Sequence, residues 1–159
     1  MFVDGDGVEV LTTASGADGR FTVTLPAGDA PVFLQAERDW NPGAGDPEIT
    51  AGDALDALRI SVGLDPSFGP AQAQNYIAAD FNGDGRVTAG DALDILRVAV
   101  GLEAEQTPRW VFVDNATDWD GVVRGGQIDY APGIAFEALS GEAEISLTGI
   151  LIGSLTEVV

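Results

Sequence analysis

Hydrophobic and polar residues alternate at both ends of the chain, with the two-residue period of a half-buried β-strand. Near the start, Val8, Val10 and Thr12 form one such stretch and Phe21, Val23 and Leu25 a second, before an apolar run at residues 31–36. From about Glu103 onward, further candidate strands lie at residues 110–113, 121–123, 128–130 and 144–152. The pattern predicts β-rich segments at residues 1–37 and 104–159.

The middle of the chain, residues 38–103, contains an internal repeat with a different period. Residues 49–64 reappear as residues 87–102, an offset of 38 with 12 of 16 positions identical. A match of this density indicates a duplication.

Each copy of the repeat predicts one helix with its own start and stop residues. Thr50 and Thr88 are N-cap candidates, and the acid three residues later completes a capping box. A glycine, Gly63 or Gly101, marks each C-terminus. The residues at positions i, i+3 and i+7 form one apolar stripe per helix, which we expect to be buried against the other: Leu55, Leu58 and Val62; Leu93, Leu96 and Val100. Residues 70–79 predict a short connecting helix.

The charge of the chain excludes several classes of function. Seven basic residues face 26 acidic ones, for a net charge of −19. Because phosphate binding depends on Lys and Arg, we expect no nucleic-acid partner. Without Cys or His, the chain has neither zinc sites built on those ligands nor Ser-His-Asp or Cys-His catalysis. No apolar run approaches the roughly 20 residues of a membrane-spanning helix, so we expect no membrane insertion. Divalent-cation sites or solubility explain the excess acid.

The residues before the second helix fit a twelve-residue calcium loop. Calcium prefers hard oxygen ligands, and such a loop supplies them from alternate positions and from its last residue. Gly85 allows the sharp bend, and Val87 is apolar and faces the core. The predicted ligands are Asp80, Asn82, Asp84, the backbone carbonyl of Arg86, Thr88 and Asp91.

The loop before the first helix keeps the residue types but not the spacing. Pro47 stands where the bend needs glycine, and proline cannot adopt a positive φ. Three extra residues are accommodated between the third and fifth ligand positions. The candidate ligands are Asp39, Asn41, Asp46, Glu48, Thr50 and Asp53. Calcium binding in an altered loop and a vestigial loop both remain open.

These features resemble the type I dockerins of bacteria. Those modules also consist of a tandem repeat in which a calcium loop precedes each helix, with Asp at the last loop position where the ordinary helix-loop-helix site has Glu. The resemblance covers residues 38–103. It implies bound Ca²⁺ and a noncovalent protein partner, a cohesin.

Dockerins commonly contact their cohesin through the two residues before the last loop position, often Ser-Thr. This chain has Ala51 and Gly52 in one copy and Ala89 and Gly90 in the other, which offer no side-chain hydrogen bonds. A close apolar contact remains open, as does loss of cohesin binding. Arg59 and Arg97 repeat in the same way, so a close apolar contact would allow two symmetry-related binding modes.

The N-terminal motif is a second and shorter resemblance. The pattern from Thr12 to Gly28, with Asp18-Gly19-Arg20-Phe21 at its centre, is similar to the last strands of Cna-B or carboxypeptidase-regulatory-like β-sandwiches. The expected fold class is therefore α+β, with a mainly α, dockerin-like module at residues 38–103 between β-sandwich-like flanks. Residues 1–37 and 104–159 either form two small units or join in one sandwich.

The function that we expect is calcium-dependent attachment within a larger exported bacterial protein, secreted or at the cell surface, and monomeric. One alternative is a calcium-rigidified end of an adhesin or secreted enzyme, without a partner. In the partner hypothesis the helix faces bearing Arg59 and Arg97 are exposed; in the structural one they pack on the flanks. A carbohydrate platform formed by Trp40, Trp110 or Trp119 is a weaker alternative. We expect no enzymatic activity, because paired carboxylates carry no specificity in so acidic a chain.

Overall fold

The computed structural model describes residues 1–25, 27–28, 31–138 and 140–156. In these ranges the chain forms three α-helices and six β-strands. The strands are β1 (Phe2–Asp4), β2 (Glu9–Leu11), β3 (Val32–Leu34), β4 (Arg109–Asp114), β5 (Ile134–Phe136) and β6 (Leu147–Ile152). The helices are α1 (Ala51–Ser61), α2 (Ala73–Ala79) and α3 (Ala89–Ala99), with a 3-10 turn at Pro42–Ala44.

The strands form two antiparallel sheets. The first has four strands in the order β2-β1-β3-β5, and the second pairs β4 with β6. Strand β3 precedes the helices and β5 follows them, so the segments on either side of the helices are hydrogen-bonded within one sheet. Residues 21–25, 121–123 and 128–130, predicted as strands, are irregular. Pro26 of the N-terminal motif lies outside the described residues.

Two apolar cores support this arrangement. A small core lies on the four-stranded sheet and contains Phe2, Val32, Leu34 and Ile134. A large core joins all three helices to the C-terminal segment, and its C-terminal members are Val113, Val122, Ile128, Ile150, Ile152 and Leu155. Strand β6 packs against α2 within this core, and Gly153 continues this contact by donating its N–H to the carbonyl of Ala78 at 2.8 Å.

The expected fold class, a mainly α dockerin-like module between β-sandwich-like flanks, is wrong. The described structure is a small α+β fold in which helices of 11, 7 and 11 residues pack with strands in two sheets. The physical reason is the shared large core, because Ile150 and Ile152 of β6 are fully buried together with helix residues such as Ala57 and Ile95. The apolar residues of the C-terminal segment complete the core of the helices instead of forming a sandwich of their own.

The capping boxes were predicted correctly, but the buried helix faces were not. Both predicted boxes are present, at Thr50 and Thr88. The six residues of the two apolar stripes, however, are 39–63% exposed. The faces that pack together carry small residues beside one isoleucine in each helix: Ala54, Ala57 and Ile60; Ala92 and Ile95. Small side chains let α1 and α3 approach closely, which leaves the leucines outside.

A glycine just before β5, at its contact with β3, offers a test of the four-stranded sheet. Gly133 has a φ of +80°, and a Cβ there would overlap the backbone carbonyl of Leu34 at the end of β3. We expect Gly133→Ala to lower the free energy of unfolding by about 3 kcal/mol, from the left-handed conformation and the backbone clash together. Urea unfolding measures the loss.

Gly141→Ala is the matched control for this substitution. Gly141 has a φ of +75°, but no other part of the described chain lies within 4 Å of the position that a Cβ would occupy. This variant therefore loses only the conformational contribution, about 1 kcal/mol. Equal losses in the two variants would contradict the close pairing of β3 with the segment before β5.

Candidate metal and docking site

The second loop connects α2 to α3, and its first acid organises the bend. Asp80 follows the last residue of α2, and its carboxylate accepts three backbone N–H groups: Gly83 and Asp84 at 3.1 Å and Gly85 at 2.9 Å. Gly83 and Gly85 both have positive φ, which a residue with a side chain rarely adopts. The chain therefore folds around the Asp80 carboxylate.

The last acid of the loop closes it onto the helix. Asp91 Oδ1 accepts the N–H of Asn82 at 3.1 Å, and Asp91 Oδ2 accepts the N–H and the hydroxyl of Thr88, each at 2.8 Å. The same carboxylate completes the capping box of α3. Asp91 thus links the third, ninth and twelfth positions of the predicted calcium loop, and any ligand that it binds also affects the start of α3.

The remaining predicted ligands lie on the outer side of this loop. Asn82 Nδ2 donates to Asp84 Oδ2 at 3.2 Å, and Asn82 Oδ1 accepts the N–H of Asp84 at 2.9 Å. Asp84 also accepts the N–H of Arg86 at 2.9 Å. The side chain of Arg86 is exposed. Hydrogen bonds, several of them from backbone N–H groups, link Asp80, Asn82, Asp84, Thr88 and Asp91 in one network.

The electrostatics of the second loop are unbalanced. Asp80 and Asp91 are buried. The ion pairs among the described residues join Arg38 to Asp46, Arg97 to Asp94 and Arg124 to Asp65, so none of them includes an acid of this loop. Burial raises the pKa of Asp80, and the negative charges of Asp91 and Asp84 raise it further, against the hydrogen bond from Gly85. A buried carboxylate without a counter-charge is costly, and a bound cation would remove that cost.

The donor set of the loop fits a hard divalent cation such as calcium. Its candidate ligands are carboxylate, amide, hydroxyl and carbonyl oxygens, the ligands that this hard cation prefers. Across the described residues, no three acidic side chains converge as a ready-made metal cluster. Backbone N–H groups instead hold the acids. Metal binding therefore requires the free carboxylate oxygens to turn toward the centre of the loop.

Residues of the C-terminal segment hold the second loop in place. The N–H of Ile128 donates to the carbonyl of Gly85 at 2.8 Å, and Arg109 Nη1 donates to the carbonyl of Phe81 at 3.2 Å. Phe81 is fully buried in the large core. The sequence shows no short-range pattern for these contacts, because Ile128 and Arg109 are distant along the chain.

The first loop has a different arrangement from the second. Asp46 and Asp53 are buried, whereas Asp39, Asn41, Glu48 and Thr50 are exposed. Asp53 Oδ2 accepts the N–H and hydroxyl of Thr50, at 2.9 and 2.7 Å, and Asp53 Oδ1 accepts the N–H of Leu155 at 2.8 Å. The structure therefore brings together Thr50 and Asp53, while Asp46 binds a separate set of donors.

Those donors around Asp46 include a residue that the loop pattern did not indicate. Arg38 forms an ion pair with Asp46, and the N–H of Asn41 donates to Asp46 Oδ2 at 2.8 Å. Trp110 of β4 donates to the same oxygen at 3.4 Å. The hydrogen bond from Asn41 lowers the pKa of Asp46, and Trp110 and Arg38 lower it further, against the effect of burial. Arg38 directly precedes the loop and is one of only seven basic residues in the chain. A basic residue at that position was the sequence feature that could have indicated the ion pair with Asp46.

Five of the six predicted partner-binding residues are exposed. Ala51, Gly52, Ala89 and Gly90 are exposed at the starts of α1 and α3. Arg97 is exposed and pairs with Asp94 at 2.8 Å, one turn earlier on α3. Arg59 is half-buried, and its Nε donates to the carbonyl of Asp65 at 2.6 Å. The exposed leucine and valine stripes lie on these same two helices, and the sequence pattern had identified those residues but assigned them to the core.

The three tryptophans contact the interior of the protein. Trp110 is buried, and Trp40 and Trp119 are half-buried and pack against the large core. Trp40 also donates to the carbonyl of Pro47 at 2.9 Å. These positions give no support to a sugar-stacking platform.

Comparison with protein-family models, curated proteins and solved structures finds no match to this chain. Among the described residues, no helix has both the length and the apolar character that crossing a membrane requires.

Proposed function

We propose that this chain binds calcium in its second loop and docks a protein partner with the exposed faces of α1 and α3, as dockerin repeats dock a cohesin. It would do so within a larger exported bacterial protein, secreted or at the cell surface. The observation that carries the proposal is the apolar stripe that is repeated on both helices and exposed on both.

The calcium half of the proposal rests on the second loop. Its acids are arranged around one bend, two of them are buried, and none forms an ion pair among the described residues. A divalent cation would supply the missing positive charge. Since the ligands come together only in the folded loop, the free energy of binding would add to the free energy of folding.

The partner half rests on the stripes and on their surroundings. An apolar patch repeated in register on adjacent helices is unusual on a surface that contacts only water. The stripes comprise Leu55, Leu58, Val62, Leu93, Leu96 and Val100, and each helix adds an exposed leucine after its C-terminus, Leu64 or Leu102. Arg97 lies on α3 beside them, where it pairs with Asp94.

The two halves meet at the start of α3. Asp91 belongs both to the loop and to the first turn of the helix, and Ala89 and Gly90 lie directly before it. Calcium held by Asp91 would fix the direction in which α3 leaves the loop. Removing calcium would then disturb the relation between the two stripes, so partner binding is expected to depend on calcium.

Capture by purified cohesin domains tests the whole proposal. Immobilised cohesins of several types are exposed to the chain with calcium and then with EDTA, and bound protein is measured by surface plasmon resonance. We expect at least one cohesin to retain the chain in calcium and to release it in EDTA. Retention that is the same in EDTA would contradict the role of calcium.

A structural role without a partner is the second candidate, and the contacts of the second loop favour it. Ile128 and Arg109 tie that loop to the C-terminal segment, so calcium there would rigidify the junction between helices and strands. In that case calcium would stabilise the chain while no cohesin of the set retained it.

A further inference from the structure

The first loop contains a positive charge that belongs to the protein. The guanidinium of Arg38 pairs with Asp46, and its carbon lies 4.8 Å from the centre of the Trp110 ring, which is cation–π distance. The Asp46 side chain is only 4% exposed, whereas that of Arg38 is 48% exposed. A buried carboxylate thus meets a cation that enters from the surface and stacks on an indole.

The acid that pairs with Arg38 can be compared with the acid at the equivalent position of the second loop. Counted back from the last acid, Asp46 of the first loop corresponds to Asp84 of the second. Asp84 is exposed and takes part in no ion pair among the described residues. The same template position is therefore neutralised in one loop and left charged in the other.

The hydrogen bonds of the two loops also differ at equivalent positions. In the second loop, the N–H of Asn82 donates to the last acid, Asp91. In the first loop, the corresponding N–H of Asn41 donates to Asp46, and the last acid, Asp53, binds the N–H of Leu155 from the C-terminal segment. The two acids of the first loop therefore bind different partners.

We propose that Arg38 is the resident cation of the first loop, which therefore folds without calcium, and that each chain takes up one calcium ion, in the second loop. The stoichiometry rests on the proposed function, whereas the role of Arg38 does not. The positive charge, the tryptophan ring and the backbone donors together perform the task that a metal ion performs in a symmetric pair of loops.

The role of Arg38 is tested by thermal unfolding in EDTA. Arg38→Ala leaves the Asp46 carboxylate buried without its counter-charge, which is strongly destabilising. We expect the midpoint temperature to fall by about 5 °C or more. Adding Asp46→Asn to this variant removes the unpaired charge, so the double variant should regain part of the loss. Arg124→Ala, which breaks the pair with the exposed Asp65, is the control and should change the midpoint by about 2 °C at most.

The absence of calcium from the first loop is tested by titration calorimetry. We expect one site in the unchanged chain and none in Asp91→Ala, with Asp84→Ala as a second variant at an exposed position. A site that survives both substitutions and disappears in Asp46→Asn would overturn the inference. So would an Arg38→Ala variant with an unchanged midpoint in EDTA. If the unchanged chain binds no calcium, the proposed calcium function fails, and the EDTA measurements still decide the role of Arg38.

Discussion

Removal of calcium with EDTA is expected to lower the midpoint temperature of thermal unfolding by about 10 °C. A ligand present at a thousand times its dissociation constant stabilises the folded state by about 4 kcal/mol, and each kcal/mol moves the midpoint by about 2–4 °C in a chain of this size. The physical cause is the burial of Asp80 and Asp91 without an ion pair, which a bound calcium ion would compensate. Circular dichroism during heating, with and without EDTA, measures the shift.

Two variants at equivalent loop positions separate calcium binding from ordinary loss of contacts. Asp91→Ala should lower the midpoint in calcium and then show no further response to EDTA. Asp53→Ala removes the matching acid of the first loop, including its hydrogen bond to Leu155, and should also be less stable. Its response to EDTA, however, should equal that of the unchanged chain. A chain whose midpoint and circular dichroism do not respond to EDTA would refute the calcium site.

The second large effect is expected on partner binding. Leu58→Gln combined with Leu96→Gln should weaken binding to any retaining cohesin by more than about 100-fold, because burial of each leucine contributes about 1.5–3 kcal/mol. Glutamine has nearly the helix propensity of leucine, and both residues are exposed, so the free energy of unfolding should change by about 0.5 kcal/mol at most. Surface plasmon resonance and urea unfolding measure the two quantities.

The repeat makes the single variants informative as well. If the partner uses one helix at a time, each single substitution leaves the other face intact, and only the double variant loses binding. Ile60→Ala and Ile95→Ala are the core controls, and each should cost about 2–5 kcal/mol of stability. Losses of that size in the leucine variants would mean that the stripes are buried, and the docking surface would be refuted.

Local sequence patterns predicted the local structure well. The repeat, the capping boxes at Thr50 and Thr88 and the positive φ of Gly63, Gly85 and Gly101 all follow from residues a few positions apart. The network of hydrogen bonds from Asp80 to Asp91 also joins residues that are close along the chain. The sequence predicts such features because capping and turn formation depend on neighbouring residues.

Arrangements that depend on distant residues were not predicted. The helices carry two apolar faces, and nothing in the period alone shows that the alanine-rich face is the buried one. That choice depends on the shared core, to which distant residues such as Ile150 and Ile152 of β6 contribute. The pairing of Arg38 with Asp46 likewise needs Trp110, which comes from a strand beyond all three helices. The mainly α fold class was wrong for the same reason, since the helices share their core with the C-terminal strands.

The pairing of β3 with β5 has a consequence for the order in which the chain acquires its structure. Val32 pairs with Phe136, so every helix and the second loop lie between the two partners along the chain. Closing so long a loop costs more entropy than forming contacts between neighbours, and folds rich in such distant pairings assemble slowly. The helices and their loops connect nearby residues and can form early. We therefore expect the four-stranded sheet to close last, after the repeated segment that holds the acidic loops.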